Sequence, residues 1–251
     1  MKDNEITICG LAAVRARFQR DSASIVRLFF DQPTSKKVGL MCKALAASRR
    51  VYRCVEPAEL EKIADSIHHG GIVAVVKQEA PRTATQADAT AWGRRRENVV
   101  VLDRIGNAHN LGAIARTAAY LGVPRIVVAG EPGAARPGGA AYRVAEGALD
   151  VIEVWTVPDI ASFLRSLSSA GFDVVGAATR GGSASDPAGV PWALVLGNEE
   201  HGLAPDVAAA CTRLVTIAGA RRVESLNVSA AAAILIHELG RGAATGRLRQ
   251  P

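Results

Sequence analysis

The chain has 251 residues, 49% of them apolar and 22% charged, a balance close to that of ordinary globular proteins, which excludes disordered, collagenous and coiled-coil classes. No apolar run approaches the ~18 residues needed to cross a bilayer, and the opening MKDNEITIC lacks the basic start and apolar stretch of a signal peptide, so a cytoplasmic protein without membrane partners is expected. The net charge of +6 is unevenly placed: residues 1–97 hold 17 Lys and Arg against 11 Asp and Glu, whereas residues 98–251 hold 13 of each class and no lysine. Lys36, Lys37, Lys43, Arg49, Arg50 and Arg53 fall within 18 positions, the local excess expected of a surface that meets phosphates, although an ordinary solvated face reads the same way.

In chain order, β-like runs at residues 6–9, 50–55 and 71–76 alternate with helical stretches at 22–30, 36–47 and 57–66. That pattern predicts a small α/β sandwich over residues 1–80. The stretch from Gln78 to Asn98 is polar and Ala/Thr-rich with no apolar periodicity, which predicts a linker at 81–97. Beyond it, apolar runs at 99–102, 125–129, 151–155, 173–177, 193–196 and 214–217 are separated by helical segments at 111–121, 137–146, 159–170, 205–211 and 226–239. Strands apolar on both faces and divided by helices predict an α/β domain over 98–251 with a mostly parallel, doubly covered sheet. Ligands bind such sheets at the carboxyl ends of the strands.

The four cysteines, Cys9, Cys42, Cys54 and Cys211, include no C-x-x-C pair and no His spacing that would gather a metal, so neither a disulfide nor a metal site is expected. Each reads as a possible nucleophile or, more simply, as a small buried thiol.

Three loop segments place Gly, Asn or acidic groups after an apolar strand. In NAHNLGAIARTA (107–118), Asn110 suits a helix N-cap, and Leu111, Ile114, Ala118 and Leu121 form the buried stripe. Arg116 then lies on a different face, either as a phosphate ligand or as a plain surface arginine. In LVLGNEEHGL (194–203), Gly197 follows the strand and would let backbone approach a flat ligand, with Glu199 and Glu200 beside it; the same residues also read as a Gly-rich turn with solvated carboxylates. His201 reads as a turn residue or an acid/base. In ESLNVSAAAAILIHEL (224–239), Ser225 and Asn227 open an Ala-rich helix, as caps or as ligand groups, and the Ala face is either core or subunit interface.

Taken in order, N-x-x-N-L-G-A-I-x-R-T-A, L-V-L-G-N-E-x-x-G-L and S-L-N-V-S-x-A resemble the three motifs of the SpoU (TrmH-type) branch of the SPOUT RNA ribose methyltransferases, over about residues 98–242. The resemblance implies a trefoil-knotted α/β domain that binds S-adenosylmethionine and methylates a ribose 2′-hydroxyl of RNA as a homodimer, without a metal. Topology rules would argue against the knot, so it rests on the resemblance alone. The basic first domain is similar to the family's small ribosomal-protein-like (L30e-type) substrate-binding domain, with HHGGIVAVV (68–76) resembling its closing strand.

By motif position, the resemblance implies catalytic roles for Asn110, Arg116, Glu199, Ser225 and Asn227, and cofactor contacts, mostly through backbone, for Thr179, Gly197, Asn198, Ile217 and Leu226. Ribosomal RNA is the expected substrate ahead of transfer RNA. A non-catalytic knotted RNA-binding factor is the alternative, though it gives no reason to keep Arg116, Glu199 and Asn227 together. A Rossmann oxidoreductase lacks the G-x-G-x-x-G turn after its first strand.

Overall fold

In the computed structural model, which describes residues 4–131, 133–186, 189–220 and 223–241, the chain forms two units. The first takes the residues up to Ala80 together with Pro137–Val151, and the second takes Pro81–Arg136 with the residues from Ile152.

The first unit opens with β1 (Glu5–Cys9) and α1 (Leu11–Asp21), then β2 (Ile25–Phe30), the short α2 (Gln32–Ser35), α3 (Gly39–Ala47), β3 (Val51–Cys54), α4 (Pro57–Ala64) and β4 (Ile72–Lys77). Its sheet runs β1-β4-β2-β3, antiparallel at both β4 contacts and parallel between β2 and β3. β4 is the last of these strands in sequence yet lies inside the sheet, and all of it but Lys77 is buried. Residues 22–30, expected as a helix, instead form a turn of 3-10 helix and β2. The Asp21 carboxylate accepts from Ala23 N and Ser24 N at 3.0 and 3.2 Å, which ends α1, and the β-branched and aromatic IVRLFF then suits a strand.

The second unit carries β5 (Arg82–Thr83), α5 (Gln86–Arg94), β6 (Val99–Leu102), α6 (Ala108–Tyr120) and β7 (Arg125–Ala129). An excursion holding α7 (Gly139–Ala145) then belongs to the first unit, where the Tyr142 hydroxyl accepts from buried Arg17 at 2.6 Å and Asp150 pairs with Arg17 at 2.9 Å. The chain returns through β8 (Glu153–Val157), α8 (Ile160–Ser169), β9 (Asp173–Ala177), β10 (Trp192–Leu196), α9 (Pro205–Ala210), β11 (Arg213–Val215) and α10 (Val228–Gly240). The strand expected from residue 151 starts two residues later because a 3-10 turn at Ala148–Asp150 leaves Val151 exposed.

All neighbouring strands of this second sheet are parallel, in the order β11-β9-β10-β6-β7-β8-β5. VVVL in β6 and WALVL in β10 are buried along their whole length, as strands covered on both faces must be. α8 covers one face through Ile160, Phe163, Leu164 and Leu167, and Asp159 caps it by accepting from Ser162 N at 2.6 Å. α10 packs against α6 and β10.

The stretch expected as a linker is folded. Thr85 and Asp88 form a reciprocal capping box at the start of α5, and Trp92 from that helix is only 2% exposed. Its ring meets Trp155 and Phe163 edge-on at centroid distances of 5.4 and 5.9 Å, and the Arg125 guanidinium lies 4.5 Å above it. The signal was the T-x-x-D spacing followed by a tryptophan. We expect Trp92→Ala to lower unfolding stability by about 3–5 kcal/mol in urea titrations, whereas a true linker residue would change it by under about 0.5 kcal/mol.

Candidate functional site

The winding of the parallel sheet determines where a ligand fits. From β6 the chain moves outward through β7 to β8, and on the other side the sheet continues through β10, β9 and β11, so the direction reverses between β6 and β10. The crevice outside the carboxyl ends of two such strands is the binding position of open parallel sheets. Here residues 103–110 leave β6 and residues 197–203 leave β10 at that crevice.

The segment after β10 is a tight turn. Asn198 and Gly202 exchange two backbone hydrogen bonds of 3.0 and 2.8 Å, and the Asn198 Oδ1 accepts from Glu200 N and His201 N at 3.0 Å each. Gly197 has no room for a side chain, because a Cβ there would stand 2.3 Å from the Gly202 carbonyl carbon and 2.4 Å from Leu203 N. The glycine seen in the sequence therefore serves backbone-to-backbone approach inside the turn.

Glu199 rises from this turn and accepts a short hydrogen bond from Asn110 Nδ2. Asn110 Oδ1 accepts in turn from Asn227 Nδ2 at 3.3 Å, and Asn227 Oδ1 accepts from Ser229 N at 2.9 Å and Ser229 Oγ at 2.6 Å. Residues separated by 89 and 117 positions thus form one line of hydrogen bonds. Its direction is determined by the ends: an ionised carboxylate only accepts, so Asn110 must turn its amino group to Glu199 and its oxygen to Asn227, whose own oxygen caps α10.

Asn110, expected as the N-cap of its helix, is not the cap. Asn107 takes that place, its Oδ1 accepting from His109 N at 2.8 Å, and Asn110 lies buried in the first turn of α6. Moving the cap three residues back frees Asn110 to bond across to the β10 turn.

The other expected site residues are distributed around this line. Arg116 lies on α6 six residues beyond Asn110, about 9 Å along the axis, and is exposed. Ser225 and Leu226 stand exposed just before the Asn227 cap. Thr179 is exposed in the loop after β9, which is fastened to the end of β11 by Gly182 N donating to Thr216 Oγ1 at 3.0 Å and Thr216 N donating to Ser183 O at 2.9 Å. Ile217 follows that junction.

Asp103 and Arg104, directly after β6, were missed from sequence although they show the same signal of charge following an apolar strand. Asp103 is 3% exposed and accepts from Ala204 N at 2.8 Å. Burial, with Asp103 adding to it, pushes the Cys211 thiol up to about 11, and burial raises Cys9 as well. Among the described residues no group of three or more His, Cys, Asp or Glu side chains could hold a metal ion, and no helix is long and apolar enough to cross a membrane.

The model of the SpoU rRNA methylase family matches residues 97–237, and a model for RNA 2′-O ribose methyltransferase substrate binding matches residues 7–82. The chain belongs to the SpoU rRNA methylase family. Among its relatives, the uncharacterized tRNA/rRNA methyltransferase YfiF of Escherichia coli O157:H7 is 33% identical over 93% of this chain and 67% of its own. The 23S rRNA (guanosine-2′-O-)-methyltransferase RlmB of Nitrosomonas europaea is 32% identical over 92% of this chain and 89% of its own. The AdoMet-bound rRNA methyltransferase of Sinorhizobium meliloti superimposes with a TM-score of 0.75 at 25% identity, covering 95% of this chain and 87% of that one. This member of the SpoU family is an RNA ribose 2′-O-methyltransferase that uses S-adenosylmethionine.

Because Gly197 tolerates no Cβ, Gly197→Ala should displace the turn and lower stability by about 1–3 kcal/mol in urea titrations. Gly189→Ala, where a Cβ meets nothing within 4 Å, should unfold as the parent does.

Proposed function

We propose that this chain methylates a ribose of ribosomal RNA, with Asn110, Arg116, Glu199, Ser225 and Asn227 acting on the reacting groups and Thr179, Gly197, Asn198, Ile217 and Leu226 holding the cofactor. The observation that carries the reading is the hydrogen-bonded line Glu199–Asn110–Asn227, which gathers one residue from each of the three motifs at the reversal of the sheet. Similarity to the 23S rRNA methyltransferase of Nitrosomonas europaea supports ribosomal over transfer RNA.

The residues suit the cofactor by chemistry. The Gly197–Gly202 turn offers backbone groups, Leu226 is 48% exposed as an apolar wall, and the Glu199 carboxylate suits a cation. S-adenosylmethionine supplies a sulfonium-bound methyl group that a nucleophilic oxygen can take. Glu199 holds its turn in register and adds negative potential. Asn227 and Ser225 position the ribose or the cofactor loop. Arg116 grips the neighbouring phosphate through its guanidinium fork and orients the 2′-hydroxyl. Arginine is not the base, since guanidinium stays protonated in proteins, so the hydroxyl proton leaves to a phosphate oxygen or water.

The same reading makes the protein a homodimer, with Arg116 and the cofactor pocket supplied by different subunits across the Ala-rich α10. In this reading the first unit binds substrate RNA, the second forms the knotted catalytic domain, and the protein works in the cytoplasm. The basic run around Lys36–Arg53 supplies the phosphate-facing surface.

Asn227→Ala should lower turnover about 100-fold, while the lost cap and the orphaned Asn110 oxygen together cost about 2–4 kcal/mol of stability, compared by single-turnover methylation and urea unfolding. Equal turnover would reduce the third motif to a helix cap. Arg116→Lys should impair methylation because one ammonium cannot hold a phosphate bidentately, and full turnover in that variant would remove the phosphate role. A folded protein that binds RNA but no S-adenosylmethionine would instead be the non-catalytic RNA-binding factor.

A further inference from the structure

Arg104 occupies a costly backbone conformation. Its φ is +56°, in the left-handed region that favours glycine, and it stands two residues beyond the buried strand β6. A residue held there against its own preference needs bonds that hold it, and Arg104 has them on both sides. Its Nε lies 3.2 Å from Asp103 Oδ1, and its Nη2 lies 3.3 Å from Asp103 Oδ2 and 3.0 Å from the Gly202 carbonyl oxygen. Its own carbonyl oxygen accepts from Asn198 Nδ2 at 3.0 Å.

Arg104 therefore grips both ends of the turn that carries Glu199, Asn198 at the start and Gly202 at the end. Asp103 extends the hold beyond the turn, accepting from Ala204 N at 2.8 Å while its own N–H donates to Leu196 O at 2.8 Å. The same connector that contains Arg104 continues into α6 and delivers Asn110. The result is a closed ring: Asn110 to Glu199 by hydrogen bond, Glu199 to Gly202 through the turn, Gly202 to Arg104 by hydrogen bond, and Arg104 back to Asn110 through the chain.

We propose that Arg104, oriented by Asp103, is a positioning residue for methyl transfer: it sets the β10 turn from the side opposite Asn110 and thereby holds the cofactor-binding backbone in its productive register. The proposal rests on the assignment of that turn to S-adenosylmethionine. A guanidinium is needed because one planar group must reach a carboxylate through two nitrogens and a carbonyl through one of them. Lysine offers a single ammonium and cannot span both partners.

Arg104→Gly separates this role from a merely structural one, because glycine accepts the left-handed φ without strain, removes the guanidinium's bonds to Asp103 and Gly202, and keeps the carbonyl that Asn198 Nδ2 meets. The experiment compares the full-length parent, Arg104→Gly and Arg104→Lys by calorimetric titration with S-adenosylmethionine, thermal unfolding, and amide hydrogen exchange at Asn198 and Gly202. Arg104→Gly should keep its Tm within a few degrees, weaken S-adenosylmethionine about tenfold, and speed exchange at both amides, with Arg104→Lys restoring only part of the affinity. If the parent binds and Arg104→Gly binds equally with unchanged exchange, the positioning role is overturned and the pocket assignment stands. A loss of affinity matched by a large fall in Tm makes Arg104 a structural group and also overturns it. If the folded parent binds no S-adenosylmethionine, the pocket assignment fails and the proposal with it.

Discussion

The second unit depends at its centre on an amide, Asn110, that can satisfy a carboxylate on one side and another amide on the other. Asn110 is buried, and a buried side-chain amide without partners would cost on the order of 1–3 kcal/mol, so its bonds to Glu199 and Asn227 are required by its own position. Meeting that requirement forces the turn after β10 and the start of α10 to meet at α6. The sheet provides the setting, since β6 and β10 are neighbours with parallel register and their carboxyl ends open on the same side. Hydrophobic burial places the strands; the polar line decides how the loops above them are arranged.

The elements that were legible in sequence are those with one dominant physical signal. β6, β7, β9 and β10 are short, continuous apolar runs, and α8 shows a clean stripe behind an Asp cap. Where two signals competed, sequence reading chose wrongly. Residues 22–30 were expected as a helix, yet the Asp21 side chain caps a short turn there and the strand propensity of IVRLFF prevails. The Ala/Thr-rich stretch before β6 shows no apolar periodicity because its one large apolar side chain is Trp92, which buries together with small Ala84 and Ala89.

The site was partly legible for a related reason. Motif order pointed to Asn110, Glu199 and Asn227, but no periodicity can state that these side chains touch, because contacts at separations of 89 and 117 residues are a property of the assembled sheet. The capping role assigned to Asn110 failed because two asparagines three residues apart compete for one helix start, and Asn107 wins by geometry. Asp103 and Arg104 escaped notice because an acid beside a base reads as a surface pair, and only the fold reveals that the acid is buried and the arginine has a left-handed backbone.

Under the proposed assignment Asn110 and Glu199, joined by a hydrogen bond, act as one unit in building the cofactor pocket, and a double-mutant cycle on S-adenosylmethionine affinity tests this most directly. Calorimetric titration of the parent, Asn110→Ala, Glu199→Ala and the double variant should show single losses that do not add, with a coupling of about 1 kcal/mol or more between the two sites. Strictly additive losses in folded proteins that all bind the cofactor would show that the two residues act independently, and would contradict the account.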